Sequence, residues 1–407
     1  MLVKAWVSKR LDFSLDDWLF AMWACFSPTR EGATERVEGL WSPDGQGMVG
    51  LSVRSLFDLY LTANRWASGD RVVFTALTVA DMPRIAREHG LEVASVDLDP
   101  HSTEPDLEAL TAAMTPRTRV LVFTHLYGAR VDVSAAMAMA KDRGIQFVED
   151  CAEAYAGPGW RGHANSDLTL FSFGPIKTAT AFGGGLARVA DPGLLTRMRE
   201  EVAGYPAQPR GEYLRRVIKY GSLGIAGIPS VFGPLVAALA ALGPGHDAVL
   251  HRWTRGFSGP ELITQIRRRP SGPLLRLLER RLRQGDSRWR SRVGPAEKLV
   301  SDLGDVPVPT AAARPHAYWL IPVRVPDPSA LVDRLERSGF NATRGRALEV
   351  VENDESVDAF EPVGARSLHE EVVFLPFSPQ MPAPVLARLA RSVRDEFNRQ
   401  TSGSPGS

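Results

Sequence analysis

Short apolar segments alternate with helical segments between residues 69 and 154 of this 407-residue chain. "GDRVVFTALTV", "RVLVFTHLYG" and "IQFVEDCAEA" have the composition of buried strands. Between them, "MPRIAREHG" and "SAAMAMAKDRG" have apolar residues at helical spacing and end on glycine, as helix C-termini often do. Apolar strands that alternate with helices predict a mainly parallel sheet that is covered on both faces.

Polar residues lie at the ends of these predicted strands. His125 and Asp150 stand at or just past two strand ends, and Lys177 lies between a "FSF" strand and three glycines. In such sheets, ligands bind beyond the carboxyl ends of the strands. The sequence therefore predicts one shared site that includes His125, Asp150 and Lys177.

The composition narrows the class of protein. Hydrophobic residues make up 44% and charged residues 23% of the chain, as in an ordinary soluble globular protein, and the net charge of +1 gives no reason to expect a nucleic-acid partner. The two cysteines, Cys25 and Cys151, are far apart and indicate a reducing compartment rather than a disulfide framework. "MLVKAWVSKRLDFSLDD" carries too much charge for a signal peptide, so we expect a cytoplasmic location.

The second half of the chain has a different character. The segment 220–245 carries no charge between Tyr220 and Gly245, and an arginine-dense region follows it. Two strand-then-helix patterns come after about Asp305, which suits a small α+β domain. We therefore expect a large domain over 1–250, connecting helices and a small C-terminal domain over 251–400, and a flexible tail over 401–407. The segment 220–245 is long enough to meet a membrane surface or a lipophilic substrate, but its prolines and glycines favour a buried helix pair at a dimer interface.

Three motifs follow one another in a fixed order along the chain. They are Glu149-Asp150-Cys151-Ala152, then Ser172-Phe173 with Lys177, then Gly183-Gly184-Gly185. Together with "THLYGARVD", they resemble the DegT-type aminotransferases that use pyridoxal 5'-phosphate (PLP), a family best known for nucleotide-sugar aminotransferases. The resemblance is strongest from Thr124 to Asp191. It implies an α/β protein of the PLP-dependent transferase fold type I, with a mainly parallel central sheet in the large domain and a small C-terminal α+β domain, assembled as a homodimer.

The resemblance also implies roles for two of these residues. Lys177 would bind PLP as a Schiff base and move a proton during the reaction, in which pyridoxamine phosphate (PMP) is an intermediate. Asp150 would pair with the pyridinium nitrogen of the cofactor. The histidines near these motifs do not have metal-ligand spacing with another histidine, cysteine or carboxylate, so the sequence predicts no metal site.

The cofactor phosphate needs backbone N–H groups at a helix start. By the resemblance, Ser52, Val53, Arg54 and Ser55 fill this turn, and the Ser172 hydroxyl approaches from the other side. Val53 stands where the family has glycine, so Arg54 is expected to supply charge directly. Two further departures are Val79, which replaces an aromatic residue that stacks on the ring, and Glu153, which replaces the glutamine or histidine beside the phenolic oxygen.

The expected activity is transfer of an amino group from an amino acid donor, glutamate or glutamine by the resemblance, to a keto acceptor such as a nucleotide-linked keto sugar. His125, Tyr318 and Arg344 are candidates to face the substrate. Two alternatives stay open. One is another PLP reaction on a lipophilic substrate, and the other is a PLP-fold protein that binds a ligand without turnover.

Overall fold

A seven-stranded sheet forms the centre of the protein. The structure, a computed structural model, describes residues 6, 11–28, 30–227, 261–285, 287–345, 348–357 and 361–402. The strands are β1 Gly47–Gly50, β2 Arg71–Thr75, β3 Leu77–Thr78, β4 Glu92–Val96, β5 Thr118–Thr124, β6 Gln146–Asp150, β7 Leu168–Ser172, β8 Gly185–Val189, β9 Pro322–Arg324, β10 Glu349–Val350 and β11 Val372–Phe374.

The order of strands across the large sheet is β1-β8-β7-β6-β5-β2-β4. The five strands from β7 to β4 are parallel, and β8 is antiparallel to both of its neighbours. Two-stranded antiparallel pairs join β10 to β3 and β11 to β9. The mainly parallel α/β sheet that the alternation of segments predicted is therefore confirmed.

Side-chain caps mark the start of several helices. A capping box starts the first one: Asp17 N–H donates to Ser14 Oγ at 3.2 Å, and Ser14 N–H donates to Asp17 Oδ2 at 2.9 Å. The helices described are α1 Leu15–Phe26, α2 Ala33–Trp41, α3 Val53–Asn64, α4 Asp81–Glu88, α5 Leu107–Ala113, α6 Ser134–Lys141, α7 Pro192–Ala203, α8 Arg210–Ala226, α9 Leu262–Ile266, α10 Gly272–Arg283, α11 Ser287–Asp302, α12 Pro328–Arg337, α13 Val363–Glu371 and α14 Ala383–Ser402.

Successive side chains of the strands enter opposite layers of the core, because side chains alternate across a sheet. On β2, Val72 and Phe74 pack with α3, α4 and α7, while Val73 packs on the other face with α5 and α6. Helices α1, α2, α8 and α10 cover the part of that second face nearest to β8. Both faces are therefore buried, and the carboxyl ends of the parallel strands remain as the edge on which a site can form.

A second core lies in the C-terminal part of the chain. It starts at Ala296 and gathers buried side chains from α11, β9, α12, β11 and α14. The predicted boundary at 250 lies outside the described residues, and α10 packs against α1 and α2 rather than in this second core. The division into 1–250 and 251–400 therefore stays a prediction.

Two sequence predictions about terminal and apolar segments meet the structure only in part. Residues 401 and 402 belong to helix α14 and not to a tail, and 403–407 lie outside the described residues. Of the apolar segment 220–245, residues 220–227 complete α8, and the rest lie outside the described ranges. Among the described helices, none is both long and apolar enough to cross a membrane.

Candidate active site

Asp150 is the last residue of β6 and is 2% exposed. Its Oδ1 accepts a hydrogen bond from the N–H of Ala152 at 3.0 Å. Burial raises the pKa of Asp150, and the nearby negative charge of Glu153 adds to the rise, while the Ala152 N–H and the charge of Lys177 oppose it. The fold therefore holds a carboxyl group where its anion is poorly solvated, which suits a site that receives a cationic partner.

Lys177 lies in the turn between β7 and β8, and its side chain is 14% exposed. Its Nζ lies 3.2 Å from Glu153 Oε1 and 3.9 Å from the centre of the Trp319 ring. The other oxygen of Glu153, Oε2, accepts the N–H of Tyr127 at 2.9 Å. Three parts of the chain that are distant in sequence therefore meet around one amino group.

The loop after β5 gives this arrangement its shape. Tyr127 and Gly128 have φ of 60° and 99°, in the left-handed region. A Cβ on Gly128 would lie 2.6 Å from the backbone nitrogen of Trp319, so only glycine allows the loop and the Trp319 segment to approach this closely. Burial raises the pKa of Tyr127, and the carboxylate of Glu153 raises it further.

His125, a candidate to face the substrate, is buried and hydrogen-bonded within the protein. It is 1% exposed, its Nε2 lies 2.9 Å from Glu149 Oε2, and its Nδ1 accepts the N–H of Val131 at 3.3 Å. Since Nδ1 accepts, the proton lies on Nε2 and is donated to Glu149. Hydrogen bonds thus occupy both ring nitrogens of His125, and its predicted contact with a substrate stays a prediction.

His125, Glu149 and Cys151 also form a cluster that the sequence spacing did not reveal. One ligand atom from each lies within 4.8 Å of the others. Glu149 already accepts hydrogen bonds from His125 and from the N–H of His163 at 2.7 Å, and burial raises the pKa of the Cys151 thiol. Hydrogen bonds from His125 and His163 thus engage both carboxylate oxygens of Glu149.

The residues predicted to hold a phosphate lie at the start of α3. Ser52 caps this helix, since its Oγ accepts the Ser55 N–H at 3.1 Å. Ser172 pairs with Gly185 across β7 and β8, and a Cβ on Gly185 would lie 2.7 Å from the carbonyl carbon of Ser52. The structure therefore brings the helix start against the strand end that carries Ser172, and the first N–H groups of α3 have no partner within the helix.

The remaining candidates for contact with the cofactor, Val53, Val79 and Arg54, have different surroundings. Val53 is buried and Val79 is half-buried against the core that includes α3 and α4. Arg54 forms an ion pair with Asp81, so its charge is shared with a carboxylate and not free for a phosphate alone, as the sequence had suggested.

Tyr318 and Arg344 do not join the cluster around Lys177. Tyr318 is 3% exposed in the second core, where its ring stacks on His316 with centroids 4.1 Å apart. Arg344 is exposed and its Nη2 donates to the carbonyl of Glu370 at 2.7 Å. One is a core residue and the other is engaged at the surface, and their predicted substrate contacts stay predictions.

Trp319 and Tyr127 are the site residues that sequence reasoning missed. Trp319 directly follows the candidate Tyr318 in "RPHAYWLIPV", so its neighbour was the only signal that pointed to it. Tyr127 lies in the "HLYG" pattern, and its contribution is a backbone N–H, which no side-chain motif reports.

The chain matches known proteins both in sequence and in structure. Residues 55–221 match the sequence model of the DegT/DnrJ/EryC1/StrS aminotransferase family. A dTDP-3-amino-3,4,6-trideoxy-alpha-D-glucose transaminase of Micromonospora megalomicea subsp. nigra is 26% identical over 344 residues, which are 80% of this chain and 78% of the relative. An L-glutamine:2-deoxy-scyllo-inosose aminotransferase of Streptomyces kanamyceticus is 35% identical over 144 residues, 34% of this chain and 33% of that protein.

Solved structures show the same fold along nearly the whole chain. The aminotransferase TlmJ from Streptoalloteichus hindustanus superposes with a TM-score of 0.70 at 19% identity, over 97% of this chain and 99% of its own. A likeness at this identity supports the PLP-dependent transferase fold predicted from the motifs. The chain is therefore similar to the DegT/DnrJ/EryC1/StrS aminotransferases, in sequence over residues 55–221 and in fold along nearly its whole length.

Proposed function

We propose that this protein is a PLP-dependent aminotransferase that moves an amino group from an amino acid to a keto sugar carried on a nucleotide or to a similar cyclic keto acceptor. The observation that carries the proposal is the meeting of Asp150, Glu153 and Lys177 at the carboxyl ends of the parallel strands. The acceptor class comes from the names of the relatives, one of which acts on a dTDP-linked amino sugar and another on an inosose. The donor is glutamate or glutamine.

The residues present fit the cofactor. Asp150 is a buried carboxyl group whose pKa is raised by burial, so the positive charge of a pyridinium nitrogen beside it would stabilise its anion. Ser52, Val53 and Ser55 at the start of α3, with Ser172 opposite, would hold the phosphate, and Arg54 would contribute the charge it shares with Asp81. When bound, PLP supplies a ring that accepts the electrons of a carbanion next to the transferred nitrogen.

The protein supplies proton transfer and orientation. Lys177 Nζ holds or moves a proton at the carbon atoms on either side of the transferred nitrogen. Glu153 lies on one side of this amino group, and the half-buried Val79 is the proposed apolar contact for one face of the ring. Glu153 and Lys177 follow the ends of β6 and β7, so the sheet sets where their backbones lie relative to one another.

We also propose a homodimer in the cytoplasm. The dimer rests on the family resemblance, and the location rests on two cysteines that are buried and free of a disulfide.

Borohydride reduction of the purified protein tests the proposal. We expect a visible absorbance band in the protein as isolated or after addition of PLP, and reduction should attach the cofactor to the peptide that contains Lys177. Addition of glutamate or glutamine should remove the band, and a keto acceptor should restore it. In the variant Lys177→Ala, reduction should attach no cofactor to that peptide, and turnover should be lost. Lys298→Ala is the matched control, since Lys298 is 69% exposed on α11.

Three outcomes contradict the proposal in different ways. A protein that never takes up PLP is not a PLP enzyme, and reduction onto another lysine removes the assigned role of Lys177. A band that binds but does not respond to any amino donor supports the ligand-binding alternative instead.

A further inference from the structure

We propose that Glu153 and Trp319 form a holding site for the amino group of Lys177, so that Trp319 is a positioning residue for that lysine. The proposal rests on the proposed aminotransferase function, in which Lys177 must remain close to the reacting atoms. It assigns a role to Trp319, which belongs to the segment that leads into the second core and lies outside the three motifs that indicated the family.

Two different chemical groups contact the same nitrogen atom. Glu153 Oε1 lies 3.2 Å from Lys177 Nζ, and the centre of the Trp319 ring lies 3.9 Å from it. A carboxylate and the face of an indole both attract a positive charge, and the attraction is stronger where water is scarce. Glu153 is 6% exposed and Lys177 is 14% exposed, so both contacts form in a largely dry place.

The two contacting groups are themselves anchored. The indole Nε1–H of Trp319 donates to the carbonyl of Ile176 at 2.9 Å, which fixes the ring next to the lysine that it covers. The backbone on either side of Trp319 bonds to the loop after β5: Ala317 N–H donates to Gly128 O at 2.7 Å, and Leu320 N–H donates to Tyr127 O at 3.1 Å.

The same loop also fixes the carboxylate, because Tyr127 N–H donates to Glu153 Oε2 at 2.9 Å. The Tyr127-Gly128 turn therefore sets the positions of both halves of the holding site. Its left-handed backbone, and the lack of room for a Cβ at Gly128, make this placement specific.

The reason for such a site follows from the proposed chemistry. A lysine that is free of the cofactor during part of a cycle has four rotatable side-chain bonds. Without contacts to its amino group, the side chain would populate many rotamers that place Nζ away from the reacting atoms. Contacts on two sides restrict Nζ to a small volume beside Asp150 and Glu153. The lysine then stays within reach for the next proton transfer, which is a contribution to orientation rather than to binding of substrate.

Competitive labelling with acetic anhydride, on protein freed of PLP, tests the holding site without use of the catalytic cycle. The reagent must reach the amine nitrogen, so groups that cover Nζ slow its reaction. We expect the labelling rate of Lys177, measured by mass spectrometry relative to Lys298 in the same sample, to rise about fivefold in Trp319→Leu and about fivefold in Glu153→Ala, because each variant uncovers one side of Nζ. Trp319→Phe keeps a ring face but loses the bond to Ile176, so its rate should lie between those of the parent and Trp319→Leu.

The matched control is Trp23→Leu, which removes a comparable pair, since the Arg276 guanidinium lies 4.1 Å from the Trp23 ring centre. Its Lys177 rate should equal that of the parent. In the PLP-loaded enzyme, Trp319→Leu should lower kcat about tenfold with KM within about twofold of the parent, because orientation is lost and binding is kept.

Relative labelling rates of Lys177 within about twofold of the parent in both Trp319→Leu and Trp319→Phe would overturn the holding site, whatever the enzyme's activity. Because Lys298 is already exposed, unfolding would also raise the relative rate of Lys177, so each variant must first show the far-ultraviolet circular dichroism and the melting temperature of a folded protein. If borohydride attaches PLP to Lys177 but labelling is unchanged, the proposed function stands and the holding site is wrong. If labelling changes but no PLP binds, the contact is real and the proposed function fails.

Discussion

At the residue scale, the buried carboxyl group of Asp150 lowers the stability of the folded chain. The carboxyl group is almost fully buried, and burial together with Glu153 outweighs the Ala152 N–H and Lys177, so its pKa is raised. A carboxyl whose pKa is higher in the folded chain than in the unfolded one destabilises the fold at neutral pH, since the folded state favours the protonated form. Active sites commonly hold such groups, because the bound ligand supplies the missing partner.

Asp150→Asn should therefore stabilise the protein that lacks PLP and inactivate the protein that contains it. The asparagine Oδ1 can still accept the Ala152 N–H, and no charge is buried. At pH 7 we expect the free energy of unfolding to rise by about 1 kcal/mol, as for relief of a poorly paired buried charge. The difference in unfolding free energy between parent and variant should shrink as pH falls to about 4, because Asp150 of the parent then takes up its proton in both the folded and the unfolded state. Turnover of the PLP-containing variant should fall about a hundredfold or more. Thermal unfolding at the two pH values checks the first claim; a melting temperature at pH 7 equal to or below that of the parent contradicts it.

At the element scale, α1 is attached to α10 by a buried charge cluster. Asp17 is fully buried and accepts from Arg281 Nη1 at 2.7 Å and from Gln284 at 2.7 Å, while Arg280 reaches its other side at 3.1 Å. Burial by itself would raise the pKa of Asp17, but the charge of Arg281 and the bonds from Ser14 and Gln284 more than reverse this, and the pKa lies well below its usual range. The cluster fixes the N-terminal helix over the part of the sheet next to Lys177, where Ala179 N–H also donates to Asp12 at 2.7 Å.

Arg281→Met should cost about 3 kcal/mol of folding free energy, because it leaves Asp17 buried with less compensation. Since the folded pKa of Asp17 is depressed, the stabilisation is present above the unfolded value near 3.9 and is lost as pH falls below it. The difference between parent and variant should therefore be largest at neutral pH and smaller below about pH 4. The matched control is Arg283→Met on the same helix, whose arginine is 58% exposed and pairs only with Glu279 among the described residues; its cost should stay below about 0.5 kcal/mol. Urea unfolding of the parent and the two variants measures both costs. Equal losses of unfolding free energy at the two positions would show that the buried pair stabilises the fold no more than the exposed pair does.

At the scale of the whole molecule, the sequence predicts what is encoded locally. Alternating apolar strands and glycine-terminated helices were sufficient to predict the parallel sheet. The spacing of the motifs was sufficient to place Asp150 and Lys177 near one another. Contacts between distant segments left no local pattern: Trp319 bonds to a carbonyl 143 residues away, and Arg281 to a carboxylate 264 residues away. The same limit explains His125, whose burial depends on Glu149 and Val131 meeting it in three dimensions.

The proposed homodimer predicts how activity depends on protein concentration. A chain of this length can bury its cores by itself, as the two described cores show, so a dimer would serve the site rather than the fold. If the active site lies at the boundary between the two subunits of the proposed homodimer, then the specific activity must follow the fraction of protein that is dimeric. We expect sedimentation at micromolar concentration to give twice the 44.5 kDa mass of one chain. On dilution, the specific activity should fall in parallel with the dimer fraction, while the far-ultraviolet circular dichroism stays constant because each chain remains folded. A monomer that keeps its full specific activity would mean that one chain holds the complete site, and the proposed dimer would then have no catalytic role.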